Sequence, residues 1–135
     1  NVNEIKKYEK LGNEMIKYIK DPENGGVGLA APQIGVNKRL IIVSLLRDRD
    51  DEDFKTVMMI NPEILEHSEI TDKEEEGCLS VPGAKGKVER YLTIKLRYLD
   101  NKGKVKILRL QGLSARIVQH EIDHIDGVLF VDKLV

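Results

Sequence analysis

Tryptophan is absent from these 135 residues, aromatic residues make up 4%, and a single cysteine is the whole thiol complement. Too few rings are present to build stacking platforms, which excludes bases or sugars held on aromatic faces as the main ligands. The lone Cys78 can form no internal disulfide, so nothing points to an oxidising compartment, and a reducing cytoplasm is the expected setting. No apolar run approaches the roughly 20 residues of a membrane-spanning helix, and no signal-peptide pattern opens the chain, which argues against a membrane partner. Neither sign of charge dominates: 22 Lys+Arg against 23 Asp+Glu leave a net charge of -1. A chain so balanced has no basic track for a phosphate backbone, and direct nucleic-acid readout is excluded with it. The densest like-charge run, Asp50 to Asp53, reads as a solvated loop.

What is present fits one domain, residues 1–135, at 15.3 kDa. A chain of this size buries somewhat more than about 60% of its unfolded surface and needs no structural metal, so a metal found in it serves chemistry. Ile5, Tyr8, Leu11, Met15, Ile16 and Ile19 recur at helical spacing before Pro22, which predicts a helix over 3–20. Gly25, Gly26 and Gly28 then open a turn, and the small residues of Leu29-Ala30-Ala31-Pro32 suit a loop or linker that something approaches closely. Residues 40–46 and 56–60 read as buried strands. Alternation over 91–98, a turn at Asp100-Asn101-Lys102-Gly103 and the run 105–110 predict a hairpin. Helical spacing returns over 113–125, with Gly127 placed to stop it. Strands and helices without regular β-α-β alternation indicate an α+β fold. Its sheets are expected to be mostly antiparallel, packed around the final helix, with the N-terminal helix added.

The chemistry concentrates in that final helix. His120-Glu121-Ile122-Asp123-His124 is an H-E-x-x-H sequence, and the i, i+4 spacing sets both imidazoles on one face, where they can share a metal ion. Glu121 is the natural general base beside them. A catalytic ion commonly takes three protein ligands, and Cys78 and His67 are the remaining soft or imidazole donors. His67, among Glu66, Ser68 and Glu69, reads as a surface residue, whereas Cys78 follows Gly77 in a segment that allows tight backbone geometry.

Three segments together are more specific than any one of them. Gly26-Val27-Gly28-Leu29-Ala30-Ala31-Pro32-Gln33, Glu76-Gly77-Cys78-Leu79-Ser80 and Gln119-His120-Glu121-Ile122-Asp123-His124 resemble, in order and spacing, the signature motifs of the peptide deformylases. The resemblance implies a metallohydrolase that removes the formyl group from nascent peptides beginning with N-formylmethionine. It implies Cys78, His120 and His124 as ligands of one divalent metal ion. That ion is Fe(II) by the family's preference, with Zn(II), Ni(II) or Co(II) able to replace it; the ligand types alone suit zinc and iron equally. Glu121 becomes the general acid/base, and the Gln33 amide and Leu79 N–H the donors to the oxyanion. Gly26, Val27, Gly28, Glu76, Leu113, Arg116 and Ile117 fall at substrate-binding positions, and Arg90 with Asp123 at a pair that supports the ligands. The ribosome near its exit tunnel is the further partner the resemblance leaves open.

Two departures accompany it. Lys85 stands where many relatives carry an arginine that reaches the peptide backbone, which removes a bidentate contact but keeps a cation. The sequence also starts at Asn1 without the strand that usually precedes the first helix, and stops at Val135 short of the helix long bacterial members use on the ribosome. A compact member or a trimmed sequence is therefore expected. The alternatives are a catalytically weak paralogue that binds formylated peptide or ribosome, and a zinc peptidase of the H-E-x-x-H type.

Overall fold

The apolar stripe of the first helix needs a surface to cover, and the strand at residues 40–45 provides one. In the computed structural model, which describes residues 2–21, 27–46, 55–78 and 81–128, helix α1 (Val2–Lys20) lies on one face of an antiparallel sheet. Its Met15 and Ile19 join Leu40, Ile42, Met58 and Ile60 in a buried cluster. Gly12 lets the helix close in, since a methyl group there would fall 2.3 Å from Met58 Cε. The sheet has the order β1-β2-β3-β6-β7, formed by β1 (Gly28–Ala30), β2 (Leu40–Leu45), β3 (Lys55–His67), β6 (Thr93–Leu99) and β7 (Val105–Gln111). Alternate residues of β2 face opposite ways, so Ile41 and Val43 pack on the other side with Ala115, Val118 and Ile122 of the second helix, α2 (Gly112–Ile125). Full burial of side chains this large contributes about 1.5–3 kcal/mol each, which fixes both helices to the sheet.

The first helix, the strand over 40–46, the 105–110 strand and the final helix match the sequence expectations within a residue or two. Gly127, at φ 81°, takes the left-handed conformation that ends α2. Three elements differ. The strand expected to stop at Ile60 continues to His67, because Asn61 takes φ 52° at a register shift and Pro62 falls where the ladder is interrupted. The alternation over 91–98 spans two strands. Tyr91 ends one and Thr93 starts the next, and Leu92 crosses between them while donating to the Ile70 carbonyl at 3.0 Å. The stretch after the glycines, expected as a loop, forms β1, too short for any periodicity to show.

A separate two-stranded sheet, β4 (Thr71–Cys78) with β5 (Val81–Tyr91), stands apart from the main one and had no sequence expectation. Its partners in register include Asp72 with Arg90 and Glu76 with Gly86. Buried positions on this hairpin include Glu76, Val88 and Arg90, so its inward face is largely charged and carries no hydrophobic alternation. The charged run at 47–54 and the glycine turn at 22–26 lie outside the described residues.

Candidate metal centre

Helix α2 runs under β1 and β2 with its apolar face in the core, and its polar face brings the H-E-x-x-H residues to one place. His120 Nε2 and His124 Nε2 converge to 3.2 Å. Two imidazole nitrogens about 2.0–2.1 Å from one ion at a tetrahedral angle stand about 3.3 Å apart, so the pair fits a shared metal.

Which nitrogen of His120 carries its proton is decided by a neighbour on the other strand system. His120 Nδ1 lies 2.7 Å from Glu76 Oε1. Burial, the largest single influence on Glu76, pushes its carboxyl up. Hydrogen bonds from His120 and Arg90, with their charges, outweigh that and hold it down to about 2. An ionised carboxylate only accepts, so Nδ1 holds the proton and Nε2 presents its lone pair, the tautomer a metal ligand requires.

Glu76 is itself the hub of a buried ion network. Arg90 grips it twice, through Nε and Nη2 at 3.0 Å each, and reaches Asp123 with Nη1. Arg116 Nη1 donates to Glu76 Oε2 at 2.5 Å and to the Val88 carbonyl at 2.9 Å. Its Nη2 donates to the Asp72 carbonyl at 2.9 Å and to Asp72 Oδ1 at 2.8 Å. Burial, the largest influence on Arg90, works against its charge, but Glu76 and Asp123 overcome it and raise its pKa further. Arg90 and Asp123, expected as a pair from sequence, are thus joined. Glu76 and Arg116, placed by the resemblance at the peptide, are 7% and 4% exposed and bond on the Nδ1 side of His120. Asp72 had no sequence assignment, and neither did Gln119. Gln119 accepts from Tyr91 N at 3.0 Å and donates to Tyr91 O at 2.8 Å, pinning the turn before His120 to β5. Its place beside His120 in the motif was the available signal.

Glu121 is 5% exposed, and its carboxylate lies against β1: a methyl group on Gly28 would fall 2.5 Å from Oε2. Gln33 sits in a short 3-10 turn (Ala31–Ile34) right after β1, where its Oε1 accepts from Ala30 N at 2.8 Å. That bond leaves the side chain oriented with Nε2 as its donor. Leu113 and Ile117 pack toward the core from α2, and Val27 is 39% exposed before β1. Lys85 is exposed on β5 opposite Gly77. His67 is exposed and stacked on Tyr91 at 3.7 Å between centroids. Cys78 closes β4, paired with Val81, and its side chain lies outside the described residues, as do Gly26 and Leu79. Among the described residues no set of three donors gathers at one point.

A family model described as polypeptide deformylase matches residues 1–135 of the chain. The chain belongs to the polypeptide deformylase family. A peptide deformylase of Brachyspira hyodysenteriae is 46% identical over 95% of this chain and 72% of its own length. One of Prochlorococcus marinus is 46% identical over 93% of this chain, which spans only 60% of that relative. The class I type b peptide deformylase of Acinetobacter baumannii superposes with a TM-score of 0.85 at 43% identity, over 94% of this chain and 80% of that one. A second structure of that enzyme, with Met-Ala-Ser bound, gives a TM-score of 0.76 at 47% identity over 83% and 72%. This family is metal-dependent, in keeping with the convergent imidazoles. Membership separates the chain from the H-E-x-x-H peptidases, which the motif alone had left open. Among the described residues no helix is long and apolar enough to cross a membrane.

Proposed function

We propose that this chain hydrolyses the formyl amide of peptides that begin with N-formylmethionine, releasing formate and a free amino terminus. The observation that carries the reading is the 3.2 Å convergence of His120 and His124 on the helix whose Glu121 carboxylate lodges against Gly28. His120, His124 and Cys78 would hold one divalent ion, for which Fe(II) is the native candidate and Zn(II), Ni(II) or Co(II) substitutes. Bound there, the ion would supply Lewis acidity toward the formyl carbonyl and toward water.

Glu121 takes the proton of the attacking water on its carboxylate and returns it to the departing amine nitrogen. Negative charge builds on the formyl oxygen as the water oxygen bonds to the formyl carbon, before the C–N bond breaks, and Gln33 Nε2 donates to it while Oε1 stays engaged by Ala30 N–H. The Leu79 N–H is the second donor in this scheme. Backbone at Gly28 crowds the approach in this scheme, which admits a formyl group and rejects larger acyl groups. Among the described residues β1 is an edge strand, paired with β2 on one side only, so an extended peptide adds to its other side. Val27, Leu113 and Ile117 form the wall for the methionine side chain. The Met-Ala-Ser complex of the Acinetobacter relative supports a methionine-first peptide. On this reading the enzyme works in the cytoplasm and meets nascent chains near the ribosomal exit tunnel.

Formate release from formyl-Met-Ala-Ser, measured anaerobically on Fe(II)-loaded protein, tests the reading. Glu121→Gln should keep the metal and the fold while turnover falls about 10² to 10⁴-fold. Near wild-type turnover in that variant with metal content confirmed, or full activity after chelation, refutes it.

A further inference from the structure

Strands β4 and β5 are not hydrogen-bonded into the main sheet, yet β4 carries both the carboxylate that orients His120 and, at its end, Cys78. Polar bonds link this hairpin to α2. One of them involves a residue to which neither motif nor resemblance gives a role. Asp72 accepts from Arg116 Nη2 through both its side chain, at 2.8 Å, and its backbone carbonyl, at 2.9 Å. Arg116 in turn donates to Glu76 Oε2 at 2.5 Å, and Glu76 Oε1 receives His120 Nδ1 at 2.7 Å.

We propose that Asp72 is a positioning residue of the metal centre, acting through Arg116 and Glu76 on the His120 imidazole. Counting charges shows why its carboxylate matters. Asp72, Glu76 and Asp123 supply three negative charges, and Arg90 and Arg116 two positive ones, a surplus of one negative charge on the Nδ1 side of His120. A carboxylate with charge to spare accepts more strongly from Nδ1–H and makes Nε2 a better donor to a cation. Without the Asp72 charge, Arg116 draws on Glu76 alone, and the acceptor strength left for His120 falls. Asp72 is the most accessible carboxylate of the network, its side chain 35% exposed, so it can be changed without opening a cavity.

The inference rests on the metal-hydrolase reading, and the test separates the two. Co(II) affinity is measured by chelator competition on the full chain, together with thermal stability of the metal-free protein. Asp72→Asn, which keeps size and an acceptor but loses the charge, should lower Co(II) affinity roughly tenfold, the lower end of the range for groups behind a ligand. The metal-free melting temperature should change little. Asp72→Glu, which keeps the charge, should stay within about threefold of wild type, and Glu74→Gln, exposed on the same strand, should not differ from it. In metal-free protein the His120 Nδ1–H resonance should move in Asp72→Asn and not in Glu74→Gln. Affinity within twofold of wild type in Asp72→Asn, an equal loss in Asp72→Glu, or an equal loss in Glu74→Gln overturns the inference. A wild-type Co(II) affinity that His124→Ala leaves unchanged refutes the metal reading itself, and this inference with it.

Discussion

Replacing Glu76 with glutamine removes one charge and almost no volume from the point where Arg90, Arg116 and the candidate ligand His120 meet. The side chain is buried and accepts from Arg90 at 3.0 Å twice, from Arg116 at 2.5 Å and from His120 at 2.7 Å. A glutamine amide offers one acceptor oxygen and turns an NH2 toward donors. The Glu76 carboxyl, held down to about 2 from an ordinary 4.5, corresponds to up to about 3 kcal/mol of stability at neutral pH. Breaking a buried ion pair from one side costs about 3–5 kcal/mol, so the two routes agree in scale. For a domain of this size that loss lowers the melting temperature by about 10 °C. Because the folded pKa lies below the unfolded one, the stabilisation is complete above about 4.5 and disappears as pH falls through about 2. The gap between wild type and Glu76→Gln should therefore be widest at pH 7 and have shrunk by about half at pH 3. Thermal and urea unfolding of chelator-treated protein at both pH values measures it. A drop below about 3 °C at pH 7, or a gap at pH 3 as wide as at pH 7, would refute the assignment of Glu76 as the ionised hub.

Two further substitutions probe the other side of the site. Gly28→Ala sets a methyl group where Glu121 Oε2 stands 2.5 Å away, so the carboxylate must shift by about 1 Å. Turnover should fall on the order of 10²-fold, with metal affinity unchanged; full turnover in steady-state formate release would show that Glu121 is not held against β1. Gln33→Glu keeps the acceptor for Ala30 N–H, now 2.8 Å away, but replaces the amide donor. It should lose about 10² to 10³ in maximal rate with the melting temperature retained, whereas a large loss of stability with full rate per folded molecule would assign Gln33 to the loop alone.

The residues from Ile5 to Ile19 announce α1 by themselves, as His120 and His124 announce a shared ligand site, because both are statements about neighbours three or four positions apart on one helix. The hairpin of β6 and β7 was readable for the same reason: its turn, closed by Gly103 at φ 80°, is local. The β4–β5 hairpin was not readable, since its inward face bears Asp72, Glu76 and Arg90, and a polar stretch of sequence carries no sign of burial. The partnership that sets the His120 tautomer joins residues 44 apart, and Arg116 reaches Asp72 across the same distance. Sequence alone therefore determined the two helices and set the candidate ligands His120 and His124 and the candidate base Glu121 within two turns of α2. Tertiary structure decided which charges stand behind those ligands. Hydrophobic period is a property of one segment, whereas the pairing of buried charges depends on which segments the fold presses together.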